Sequence, residues 1–94
     1  MQGNFNSLFN ANRNTVVGNG NGILNGDANI LLGNKNAVMG SANGVAGNSN
    51  AVMGNQNFLN GSGNGIQGSA NGLIGNQNTI IGNANALIGN TNYI

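Results

Sequence analysis

With 94 residues, a formal net charge of +1, one Asp, and no Glu, His, Cys or Pro, the chain lacks the side chains for paired-carboxylate, triad or metal-ligand chemistry. An enzyme is therefore excluded, and no cofactor is expected. The charge provides no basic surface for nucleic acid, and no apolar run exceeds three residues, so neither a membrane span nor the apolar centre of a secretory signal is expected.

Read from Gly3, the chain is one short unit repeated thirteen times. The first unit, Gly3 to Asn10, has eight residues; Ala11 to Val17 has seven and opens on Ala; Gly18 to Asn25 again has eight. From there every unit has seven, starting at Gly26, Gly33, Gly40, Gly47, Gly54, Gly61, Gly68, Gly75, Gly82 and Gly89, and the last stops after six at Ile94. With positions named a to g, a is Gly, b is Asn or Ser, d is Asn and f is aliphatic, while c, e and g vary. Position d is Asn6, Asn14, Asn21, Asn29, Asn36, Asn43, Asn50, Asn57, Asn64, Asn71, Asn78, Asn85 and Asn92. Position f is Leu8, Val16, Ile23, Leu31, Val38, Val45, Val52, Leu59, Ile66, Leu73, Ile80, Leu87 and Ile94.

Asn and Gly make up nearly half of the chain, a composition often found in disordered low-complexity segments. So strict a period argues instead for a repeat architecture. A coiled coil needs two apolar positions per heptad with good helix formers between them; a Gly in every heptad costs about 1 kcal/mol per helical position and rules the helix out. Strand logic fits: around d to g the side chains alternate between two faces, so Asn at d and the aliphatic at f share one face, with e and g opposite. Gly at a and Asn or Ser at b supply a corner.

One such strand buries nothing useful alone, but stacked repeats share a core. Two heptads close the smallest coil, giving an all-β, parallel two-sheet β-solenoid of fourteen or fifteen residues per coil. Residues 1–94 then form one domain of thirteen half-coils, about 30 Å tall at the usual strand spacing, with no capping repeat. A buried unpaired amide would cost roughly 1 to 3 kcal/mol. Stacked in every coil, each d Asn can donate to one neighbour and accept from the other as an Asn ladder.

The Asn-x-aliphatic-x-Gly rhythm, with its occasional eight-residue unit, resembles the ryegrass-type ice-binding proteins of plants, whose repeats read Asn-x-Val-x-Gly. The resemblance implies a left-handed β-roll of about two heptads per coil. It also implies an ice-binding function in which e and g on one flat sheet carry small hydroxyl and aliphatic residues that order water. Hydroxyls at e are Ser7, Thr15 and Thr79; the other e residues are Gly22, Ile30, Ala37, Gly44, Ala51, Phe58, Gly65, Gly72, Ala86 and Tyr93.

Large apolar residues at g, namely Phe9, Val17, Leu24, Leu32, Met39, Met53, Ile74, Ile81 and Ile88, occur in odd and even units alike. Both sheets should present apolar outward stripes with neither privileged, and such patches usually mark a partner surface. An uncapped terminal coil is an open β-edge. Placing Tyr93-Ile94 of one copy before Met1-Gln2-Gly3 of the next gives a composite eight-residue unit with Met1 at g and Gln2 in the extra place. The leading expectation is therefore a structural protein whose partners are other copies of itself, stacked head to tail into amyloid-like filaments through Met1, Gln2, Gly3, Tyr93 and Ile94. The alternative is ice binding through one flat sheet. Asp27 is one ordinary b residue, so a calcium β-roll is rejected. Gly18-Asn19-Gly20-Asn21-Gly22 is repeat, not a phosphate loop, for no helix follows it. Asn60-Gly61-Ser62 matches a glycosylation sequon, as chance allows in so Asn-rich a chain.

Overall fold

The computed structural model describes all 94 residues. Twelve of the units each form one short strand centred on e, f and g. In chain order these are β1 (Ser7–Phe9), β2 (Thr15–Val17), β3 (Gly22–Leu24), β4 (Ile30–Asn34), β5 (Ala37–Met39), β6 (Gly44–Asn48), β7 (Ala51–Met53), β8 (Phe58–Asn60), β9 (Gly65–Gln67), β10 (Gly72–Ile74), β11 (Thr79–Ile81) and β12 (Ala86–Ile88). The corners turn the chain so that consecutive strands lie in different sheets. One sheet runs β1-β3-β5-β7-β9-β11 and the other β2-β4-β6-β8-β10-β12, all neighbours parallel. Like positions stack on like, as in Ala37 on Ala51, Val38 on Val52 and Met39 on Met53. The expected two-sheet β-solenoid is thus the fold, 31 Å in its longest extent.

Between the sheets lie the f aliphatics. Eleven of them, Val16 to Leu87, form one continuous buried cluster, against which Leu8 and Ala11 pack. With β-branched and Leu side chains in one slot, each coil buries its apolar volume only by meeting the coil above and below, the general condition of a solenoid.

The d asparagines line the same interior. Nine of them, Asn21 to Asn78, are buried. The Nδ2 of Asn57 donates to Oδ1 of Asn43 (3.0 Å) in one neighbouring coil and to the Gly68 carbonyl (2.8 Å) in the other. Its Oδ1 accepts from the backbone N–H (3.0 Å) and Nδ2 (3.2 Å) of Asn71. No buried side-chain nitrogen or oxygen lacks a partner, so the ladder expected from sequence forms and gains an additional rail on the glycine carbonyls.

That rail explains the Gly at a. A Cβ on Gly54 would stand 1.8 Å from the Gly68 carbonyl oxygen and 3.2 Å from Nδ2 of Asn57, and the residue's φ is +136°. The oxygen that receives the ladder's bond occupies the space a side chain would need.

Three features of the corners were not legible from the repeat. A second, exposed ladder runs through b in the opposite sense: Asn34 N–H donates to Asn48 Oδ1 (3.0 Å), Ser41 N–H to Asn55 Oδ1 (2.8 Å) and Asn12 N–H to Asp27 Oδ1 (2.9 Å). Position c, which varies freely, adopts a left-handed backbone in every unit, including Lys35 (φ 60°), Ala42 (59°) and Gln56 (59°). The extra residues Asn10 and Asn25 of the eight-residue units are left-handed too (49° and 52°), and stack on each other, Asn10 Nδ2 donating to Asn25 Oδ1 (3.2 Å). Asn25 N–H donates to the Phe9 carbonyl, the bond that Gly54 N–H makes to Met39. The inserted Asn thus takes over the corner glycine's bond at a smaller positive φ than the 110° to 143° of the positive-φ glycines at a. Ala11 then falls outside the positive-φ set, and an L-residue fits there.

One register expectation is corrected. Gln2 pairs with Val17, its N–H donating to the Val16 carbonyl and its carbonyl accepting from Gly18 N–H. Gln2 therefore stands at g, not Met1, because the backbone bonds that define g elsewhere are made by Gln2.

Two substitutions test this coupling of Gly to Asn. Gly54→Ala should destabilise by more than about 4 kcal/mol, the range of severe steric insertions. Gly65→Ala, whose Cβ would meet nothing within 4 Å, should stay within about 1 kcal/mol of wild type; thermal unfolding by circular dichroism compares them. Asn57→Asp replaces a two-donor amide by a group that donates only when protonated. Burial raises its folded pKa above the unfolded value of about 3.9, so its contribution is fullest below that pH and is lost as pH rises through the folded pKa. The variant's deficit against wild type in parallel melts should be smallest near pH 3 and grow toward pH 7.

Candidate functional site

With a, d and f committed to holding coils together, only the outward e and g columns remain for chemistry outside the fold. All nine g residues singled out from sequence are exposed, from Leu24 at 37% to Ile88 at 82%. The topology divides them: Phe9, Leu24, Met39, Met53 and Ile81 lie on the odd-strand sheet, Val17, Leu32, Ile74 and Ile88 on the even-strand sheet. The three charged residues sit at corner positions b and c, Asp27 at b and Arg13 and Lys35 at c, and both faces are uncharged.

On the odd-strand sheet the e column reads Ser7, Gly22, Ala37, Ala51, Gly65 and Thr79, each paired with the next in register. Every one is small. The parallel g column reads Phe9, Leu24, Met39, Met53, Gln67 and Ile81, and all are long. A floor of small residues beside one wall of long ones makes a shallow apolar trough of about 560 Å³, which runs from Ser7 and Phe9 to Thr79 and Ile81. Tyr93 continues the e column beyond Thr79 through an isolated bridge.

The even-strand sheet is different. Its e column reads Thr15, Ile30, Gly44, Phe58, Gly72 and Ala86, so two half-exposed large side chains, Ile30 at 51% and Phe58 at 55%, alternate with two glycines. The Phe58 ring leans over the nearer one, its Cδ2 3.6 Å from where a Cβ on Gly44 would stand. This face is knobbed, and the expectation of two equivalent faces is corrected. The large g residues occur on both sheets, but the e residues sort by size between them. The signal was available in the sequence as the parity of the unit number, and reading e as a single string concealed it.

Nothing in the fold gathers three His, Cys, Asp or Glu side chains, and no helix is long and apolar enough to cross a membrane. What the surface offers is geometric: one smooth and one knobbed apolar face, each a lattice of side chains repeating at the strand spacing of about 4.8 Å. A family model, the grass antifreeze beta roll, matches residues 1–82. No curated protein matches the chain.

Proposed function

The chain belongs to the grass antifreeze β-roll family, and from that premise we propose that it binds ice through the trough of the odd-strand sheet. The observation that carries this choice of face is the unbroken column of small e residues from Ser7 to Thr79 beside the g column. A crystal surface is flat and periodic. It can be met closely only by a protein face whose protrusions are of even height and recur at a fixed interval, and the in-register sheet supplies both.

The chemistry is that of water beside an apolar, ordered surface. The backbone groups beneath the trough are engaged in the parallel ladders, and between its ends every lining side chain except the Gln67 amide is apolar and offers water no strong partner. Water above them must complete its hydrogen bonds with other water. Over a repeating corrugation such water takes up the repeat and can merge with an ice front, while the hydroxyls of Ser7 and Thr79 anchor the ordered layer at the trough's ends. Adsorbed protein then pins the front and forces growth between molecules into curved surfaces, which opposes further growth.

Head-to-tail stacking into filaments is the second reading. What favours it is that the d Asn ladder and the backbone pairing both continue into the last coil, as in Asn92 N–H to Asn78 Oδ1 (2.8 Å) and Ile94 N–H to the Thr79 carbonyl (2.9 Å), so a further coil would find matching partners. What weakens it is the register of Gln2 at g, which sets Met1 and Ile94 in competition for one f place at a junction.

A bulky residue in the middle of the trough should break the match to ice. Ala51→Tyr is expected to lower ice-recrystallisation inhibition by about tenfold, roughly 1.4 kcal/mol of adsorption free energy. Gly72→Tyr, on the other sheet, should retain most of it; equal losses would reject the trough as the face. In negative-stain electron microscopy the ice reading expects small dispersed particles. Long uniform fibres without ice activity would replace it with stacking, and such fibres should then disappear when a globular domain is fused after Ile94.

A further inference from the structure

The knobbed face of the even-strand sheet has no part in the trough, and its residues are arranged to fit a second copy of themselves. Along the stack, knobs and notches at e follow the order Ile30, Gly44, Phe58, Gly72. Turn a second copy over about a two-fold axis that runs parallel to the strands between β6 and β8. The coil order is reversed while each strand keeps its direction, so e faces e and g faces g. Ile30 then lies over Gly72 of the second copy and Phe58 over Gly44, with each relation repeated by symmetry.

The same operation sets the flanking column against itself. Leu32 meets Ile74, and the small Ala46 at the axis meets Asn60. Because each Phe58 ring leans over its own Gly44, the two rings come side by side at the axis above two glycine notches, an offset aromatic pair of the favoured kind. A two-fold axis along the stack sets e against g, so the alternation of the e column is not matched to itself.

We propose that the chain forms an antiparallel homodimer through the even-strand sheet, with Ile30 seated in the open Gly72 notch of the second copy and the two Phe58 rings, each over its own Gly44, paired at the axis. The molecule's extents of 31 by 19 Å bound the footprint of the face at about 600 Å² per copy, under the roughly 800 Å² of a standard stable interface. So small a face, wholly free of charge as interface centres are, fits a weak, reversible association. The dimer leaves both troughs outward, so it is compatible with ice binding and does not depend on it.

The test is sedimentation velocity of the 94-residue chain over a range of concentrations, with circular dichroism to show that each variant is folded. Wild type should pass from monomer to dimer as concentration rises. Ile30→Lys, at an exposed position, should raise the dissociation constant about 100-fold or more by burying an unpaired charge. Adding Gly72→Glu should recover most of that loss by pairing Lys and Glu across the interface. Adding Gly44→Glu instead should not, since Gly44 faces Phe58. Wild type that stays monomeric to about 1 mM, where even weak association populates the dimer, would overturn the proposal. So would a dimer unaffected by Ile30→Lys, which would mean association through the trough or the coil ends, or equal rescue by the two Glu variants, which would mean that the register is wrong. Ice-recrystallisation inhibition by Ile30→Lys, measured on the monomer, separates this result from the fate of the trough.

Discussion

Each coil is held to the next by a bond between two residue types that cannot be exchanged independently. The d Asn reaches across to the carbonyl of the a Gly in the following coil, and that oxygen lies where a side chain on the preceding a residue would have to be. A β-solenoid of seven-residue half-coils has corners so tight that backbone stands on backbone, and the cost of burying an amide there is met only because every Asn finds both a donor and an acceptor in its neighbours. The strict Asn and Gly columns are consequences of this one contact repeated.

Once the interior takes a, d and f, the remaining positions are released from the fold in different degrees. The b position keeps a weaker duty, an exposed side-chain oxygen that accepts from the coil before it, which Asn, Ser and Asp all perform. At e and g the side chains point out of the sheet, away from the core. The two faces can therefore diverge without disturbing the core, and they have. A smooth trough on one side and an alternation of knobs and notches on the other are supported by identical backbones.

The c position shows how a tolerant sequence can hide a demanding conformation. Phe5, Arg13, Lys35, Ser49 and Thr91 share a left-handed backbone with Gly20 and Gly63, although a non-glycine residue in that region is strained by about 1 to 2 kcal/mol. The corner imposes the conformation because its neighbours on both sides are fixed by ladders, and any side chain is accepted since c points into solvent. Variation that looks like indifference is here the absence of a packing partner.

The sequence alone determined the parts governed by a period: the strand at e to g, the buried f column from Val16 to Leu87, the Asn ladder and the two-sheet coil, since each follows from chemistry recurring at a constant interval. Family resemblance also entered through those same columns, and it pointed toward ice. What only the tertiary structure decided were relations between residues the period does not relate. Coil closure turns a parity already present in the sequence into two faces, with Ala37 and Ala51 on one and Ile30 and Phe58 on the other, while the inserted Asn25 assumes the corner glycine's bond and Gln2 occupies g where Met1 was expected. A repeat specifies what stacks upon what, because stacking is local and identical in every coil; which way a face looks, and what stands beside it there, depends on how the coil closes in three dimensions.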